Sequence, residues 1–282
     1  MKEITDNIML ETEFEGVTVG AIQTPQGIVM IDTPLNPKEA QVWRTTCSRM
    51  TGGSDRLLVL LDEHFDRTAG ARVMRCPIIA HDRTAQAVAS RLSSARPQVN
   101  HTGSAWESCQ EITTIHWVPP EITFTNTMQI NWGDEPIQLQ YHPGPSRGST
   151  WVVLPQQHIA FIGDTVMPGQ PPFLASADIG AWLEALEVLK SREFKDFTLI
   201  CGRGILATRE DILDLQKFLK SAQKTLEKLS ASKATTGDAE ASGLAMAEEF
   251  ASKNKSEMEL YRTRLAYGLS QYYISHFSKL LP

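Results

Sequence analysis

Short, almost wholly apolar segments recur along this chain and restrict its fold more than any other feature. Residues 17–22, 28–32 and 57–61 are rich in Val, Ile and Leu and are bounded by Gly, Pro or Asp, the pattern of strands. Residues 77–80, 137–141, 151–154, 158–162 and 197–201 continue the series. Nearly continuous apolar strands belong to sheets covered on both faces. Helical patterns are interleaved with them, which makes the class α/β and the architecture layered. In such sheets chemistry sits on loops at the carboxyl ends of strands. Three of these ends carry charge: Asp62 follows 57–61, Asp164 follows 158–162, and Arg203 follows 197–201.

Residues 181–189 place Trp182, Leu186 and Leu189 on one helical face. Thr208 opens a stronger helix as its cap, with Asp211 as the reciprocal partner. The stripe of that helix is Ile212, Leu215, Leu219, Ala222, Leu226 and Leu229. Residues 230–243 are small and polar and read as a flexible connector between a main domain over 1–229 and a helical extension over 244–282. A last helix begins near Lys255. Its stripe of Met258, Tyr261, Leu265, Leu269, Tyr272 and Leu280 is expected to pack on the main domain, with a homodimer face as the alternative.

Lys and Arg number 27 against 33 Asp and Glu, a net charge of −6. This balance argues against nucleic acid or an anionic membrane as the main partner, and no Lys/Arg run marks a local basic patch. No apolar run approaches the ~20 residues that span a bilayer. The opening residues carry no charged-then-apolar leader. A cytoplasmic location is therefore expected. Cys47, Cys76, Cys109 and Cys201 show no Cys-x-x-Cys spacing and read as reduced thiols.

Residues 62–70 read Asp-Glu-His-Phe-Asp-Arg-Thr-Ala-Gly. The stretch resembles the metal-binding signature of the metallo-β-lactamase superfamily, His-x-His-x-Asp-His, with Asp62 and Arg67 at two of the His positions. Gly27 to Pro34 resembles the family's early Gly-x-x-x-Ile-Asp-Thr stretch, whose Asp (here Asp32) supports the metal loop. The loop His142-Pro-Gly-Pro-Ser-Arg-Gly-Ser149 is similar to one that supplies a His ligand, with Pro145 at the ligand position. Gly163-Asp164 matches the residue pair that bridges the metals. Cys201-Gly-Arg-Gly204 matches the last ligand loop, with Arg203 in place of His. Residues 171–174 and 182–186 resemble the branch of glyoxalase II-like and sulfur-metabolism hydrolases. The resemblance covers about residues 5–225 and implies a four-layer αβ/βα sandwich.

It also implies hydrolysis of an ester, thioester or amide by two metal ions, usually zinc. The positions for one ion are Asp62, His64 and Pro145, and for the other Asp66, Arg67, Arg203 and Asp164. Proline offers no side-chain ligand, and guanidinium stays protonated. A dinuclear zinc centre is therefore not expected. Arg67 and Arg203 are instead expected to hold the candidate catalytic carboxylates Asp66 and Asp164 in charge-assisted pairs. The cluster sums to −1 without a proton on His64, so a raised His64 pKa is expected. Three readings stay open: an inherited ion-pair network; a cleft that binds a small anionic ligand through Arg67, Arg203 and His142 without hydrolysis; and a hydrolase with one divalent ion (zinc, iron or manganese) on Asp62, His64 and Asp164, with His142 reaching in.

Overall fold

In the computed structural model, residues 1–50, 55–91, 101–108, 116–204, 206–250, 252 and 254–277 are described. Strands β1 Lys2–Thr5, β2 Ile8–Glu11, β3 Val19–Gln23, β4 Gly27–Ile31, β5 Asp55–Val59, β6 Ile78–His81 and β7 Ile122–Phe124 form one sheet in sequence order. Strands β8 Thr127–Ile130, β9 Ile137–Tyr141, β10 Thr150–Leu154, β11 Ile159–Gly163, β12 Thr198–Cys201 and β13 Leu206–Ala207 form the other, also in sequence order.

The alternation of side chains along each strand accounts for the layers. Val29 and Ile31 of β4 meet Val152 and Leu154 of β10 and Phe161 of β11 between the sheets. Ile28 and Met30, one residue out of phase, face outward onto Ala40, Trp43 and Cys47 of helix α1, Pro37–Met50. Trp151 and Val153 face the opposite way, onto helices α5, Ile179–Lys190, and α6, Arg209–Ala231. The result is the four-layer αβ/βα sandwich that the resemblance implied. Segments α2 Phe65–Thr68, α3 Ala71–Met74 and α4 Asp82–Arg91 complete the first helical layer.

The Thr208 cap forms as expected, with Asp211 closing the reciprocal bond. The connector reading of 230–243 is corrected. After α6 the chain turns at Ser232 and Lys233 and enters helix α7, Thr236–Ala247. Thr235 and Asp238 form a second capping box there, and small residues let α7 lie close to its neighbour. A Cβ on Gly243 would collide with the carbonyl of Leu265. That neighbour is α8, Lys255–His276. Tyr261, Leu265, Leu269 and Tyr272 are buried on it, the last three within the same core as Leu226 of α6. Leu280 of the expected stripe and Cys109 lie outside the described residues, and Cys47, Cys76 and Cys201 carry free thiols. No helix among the described residues is long and apolar enough to cross a membrane.

Candidate functional site

Four parallel-paired strands deliver the charged residues to one place. β4 and β5 run side by side and end just before Asp32 and Asp62, while β11 and β12 end just before Asp164 and Arg203. The two sheets are stitched together there. Thr150 N donates to Leu61 O at 2.8 Å, and Thr18 N to Gly202 O at 2.8 Å. Asp32 adopts a left-handed backbone, φ 55°, and its Oδ1 accepts the Leu61 N–H at 2.9 Å, so it supports the loop carrying Asp62 as expected.

Arg67 and Arg203 sit among the carboxylates, all but excluded from solvent. Arg67 reaches three of them. Its Nη2 donates to Asp164 Oδ1 at 2.5 Å and its Nη1 to Asp32 Oδ2 at 3.2 Å, while its Nε lies 3.2 Å from Asp62 Oδ1. Arg203 forks onto Asp66, with Nη1–Oδ2 2.5 Å and Nη2–Oδ1 3.0 Å. Its Nε donates to Asp164 Oδ2 at 3.1 Å, and Nη1 also reaches Gly16 O. His64 Nδ1 lies 3.0 Å from Asp62 Oδ2 and 3.5 Å from Asp164 Oδ2, and the His64 N–H donates to Asp62 Oδ1. Both oxygens of each of Asp62, Asp66 and Asp164 are therefore engaged. Gly202 is needed beside this cluster: a Cβ there would stand 2.8 Å from both Arg67 Nη2 and Asp164 Oδ1.

Burial would push these groups toward neutrality, and pairing reverses the effect. Asp62 loses solvent, yet Arg67 and His64 hold its pKa well below the usual carboxylate range. Asp164 is likewise desolvated and is pulled down by Arg203 and Arg67. His64 is pulled down by burial, but Asp62 and Asp164 outweigh this and raise it above its ordinary value, as expected from the charge sum. Asp32 behaves differently. Burial raises it to about 7, only partly offset by Arg67. The charge sum read from sequence left Asp32 out, although Arg67 binds it directly.

The three ligand-type side chains Asp62, His64 and Asp164 converge, with donor atoms within 4.8 Å of one another. His142 is not part of that group. It stacks on Trp151 with ring centroids 3.6 Å apart, Nε2 meets Gln140 Oε1 at 3.2 Å, and burial lowers its pKa to about 4. The expectation that it reaches in is corrected: Trp151 of β10, paired with Gln140 and so diagonal to His142, captures the ring. His81 is a buried residue hydrogen-bonded to Thr125 O.

Two contributors were not read from the sequence. Phe173 presents its face to Arg203, 4.8 Å from Cζ to ring centroid, and its ring lies 5.6 Å from that of His64. Arg264 of α8 stacks on Phe173 at 4.0 Å. Its Nε donates to Gly103 O and its Nη1 to Pro171 O. Phe173 lay within a quoted motif, but Arg264 gave no signal beyond being a charge in an amphipathic helix.

Two facing sheets flanked by helices, with charged residues gathered at the ends of paired parallel strands, define an αβ/βα sandwich. The profile of the metallo-beta-lactamase superfamily matches residues 63–203, and the chain belongs to that superfamily. Among solved structures, a metallo-beta-lactamase from Pontibacter korlensis is similar at 18% identity and TM-score 0.64, covering 78% of this chain and 97% of that one. A metallo-beta-lactamase from Erythrobacter litoralis is similar at 15% identity and TM-score 0.60, covering 78% and 95%. A stereoselective inverting sec-alkylsulfatase from Pseudomonas sp. aligns over 97% of this chain but only 49% of its own, at 15% identity and TM-score 0.72. These similarities show the fold alone; this chain spans about half the length of the alkylsulfatase. Comparison with curated proteins gives no match.

Proposed function

We propose that this protein has exchanged dinuclear metal hydrolysis for a non-hydrolytic role, a binding or regulatory homologue whose former metal site is an ion-pair core. The observation that carries this reading is the occupancy of the carboxylates. Each oxygen that would face a metal ion already faces a guanidinium, an imidazole or a backbone N–H. Two fixed guanidinium charges replace the +2 of one ion and would repel another. The residues present do not fit a metal pair.

A second reading, a hydrolase with one divalent ion, is favoured by the convergence of Asp62, His64 and Asp164. It requires Arg67 to release Asp62 and Asp164, leaving a fully buried cation with Asp32 as its remaining carboxylate partner. That cost favours the first reading.

The test is zinc titration calorimetry on the wild type and on the Arg67→His, Arg203→His double variant. Wild type is expected to bind no zinc, while the double variant binds it and loses stability in a chelator. Stoichiometric zinc uptake by the wild type, with hydrolysis of an ester or thioester panel, supports the one-metal enzyme and overturns the proposal.

A further inference from the structure

We propose that the outer face formed by α1 and α3 holds a second site, separate from the carboxylate cluster, for a multiply charged oxyanion of the phosphate class. The cavity there is about 430 Å³ and is lined by Lys38, Arg44, Arg72, Arg75 and His116. Among the described residues no Asp or Glu lines it. This is unusual in a chain whose acidic residues outnumber its basic ones, 33 to 27. Surface charges of both signs are normally interspersed, and like charges within a Debye length of ~8 Å repel one another unless an anion joins them. No salt bridge among the described residues engages Lys38, Arg44, Arg72 or Arg75.

The fold builds this feature. Lys38 and Arg44 come from α1, Arg72 from α3 and Arg75 from its end, and no basic run announces them. Arg44 Nη1 donates to Val73 O at 2.8 Å, which fixes one guanidinium against the cavity wall before any ligand arrives. Arg75 closes α3 in the left-handed conformation, φ 53°. Guanidinium forks match the oxygens of phosphate, and a held fork loses less freedom on binding. The volume suits a small phosphorylated molecule. An extended nucleic acid is disfavoured, because the chain as a whole carries −6 and the cations occupy one concavity rather than a stripe. Ala69 and Val73 also line the cavity and follow closely on Asp66 and Arg67, so an occupant rests against the segment that carries the ionic cluster.

The test is calorimetric titration of the full chain with inorganic pyrophosphate at fixed ionic strength, with sodium chloride as the reference titrant. Saturable one-site binding is expected, and Arg72→Glu with Arg75→Glu should weaken it at least ~10-fold, the loss of a few charge-assisted contacts. Both positions are solvent-exposed, so folding should persist and circular dichroism checks it. Lys38→Gln, a milder change on the other helix, should weaken binding less. Arg147→Glu, in a different cavity, should leave it unchanged. The proposal is overturned by absence of saturation up to ~10 mM, an affinity too weak for a built site. It is equally overturned by undiminished binding in folded Arg72→Glu, Arg75→Glu protein, or by binding to anionic vesicles or RNA without binding to pyrophosphate.

Discussion

Arg67 and Arg203 lie at the sheet ends and Arg264 lies in the C-terminal helical layer, yet all three guanidiniums are buried. The first two are surrounded by Asp32, Asp62, Asp66 and Asp164, and pairing outweighs burial to raise their pKa values. Among the described residues no carboxylate forms an ion pair with Arg264. Carbonyls of Gly103 and Pro171 and the face of Phe173 hold it, and burial together with Arg203 lowers its pKa to about 9. The difference separates two uses of buried charge. At the sheet ends the cations compensate carboxylates that the fold already places together. In the helical layer the cation ties α8 to the loop bearing Phe173 through its hydrogen-bonding geometry.

Removing one member of each set should separate the two uses most sharply. Arg203→Ala leaves Asp66 and Asp164 buried without their main partner, and chemical denaturation should show a loss of about 3–5 kcal/mol. Arg264→Met keeps the apolar contact with Phe173 and strands carbonyl acceptors instead. Its loss should be about 1–3 kcal/mol, smaller than that of Arg203→Ala. Equal losses would erase the distinction.

The histidines give a subtler version of the same contrast. His64 faces carboxylates, and His142 faces Trp151. Proton NMR titration should place His64 above its ordinary ~6.5 and His142 near 4. The stability that protonated His64 contributes is present below pH ~6.5 and is lost as pH rises through its folded value. His64→Gln should flatten that alkaline loss. The depressed carboxylates act at the other end: what Asp62 and Asp164 contribute is present above pH ~4 and is lost as pH falls through their folded values. The smallest expected effect is at the α7 cap, where Thr235→Ala should cost ~1 kcal/mol in thermal unfolding and leave both histidine titrations unchanged.

Much of this arrangement is legible in the sequence. Short, nearly continuous apolar runs set the strands, and a charge after each of three strand ends marked where a site would form. Arginine at positions that resemble metal ligands led to the pairing with Asp66 and Asp164. What escaped depends on neighbours distant in sequence. Arg67 binds Asp32, 35 residues earlier, because β4 and β5 run parallel. His142 turns onto Trp151, its diagonal neighbour across the strand pair. The small residues of α7 read as a linker, since close helix packing and a connector favour the same composition. The cations at 38, 44, 72 and 75 meet only when α3 docks on α1.

Elemental mass spectrometry on untagged protein, purified without chelators and then incubated with zinc, iron and manganese, tests the ion-pair core most directly. Less than ~0.1 ion per chain is expected if Arg67 and Arg203 have taken the place of metal. About one tightly held ion per chain would contradict that replacement and assign the convergence of Asp62, His64 and Asp164 to a surviving metal site.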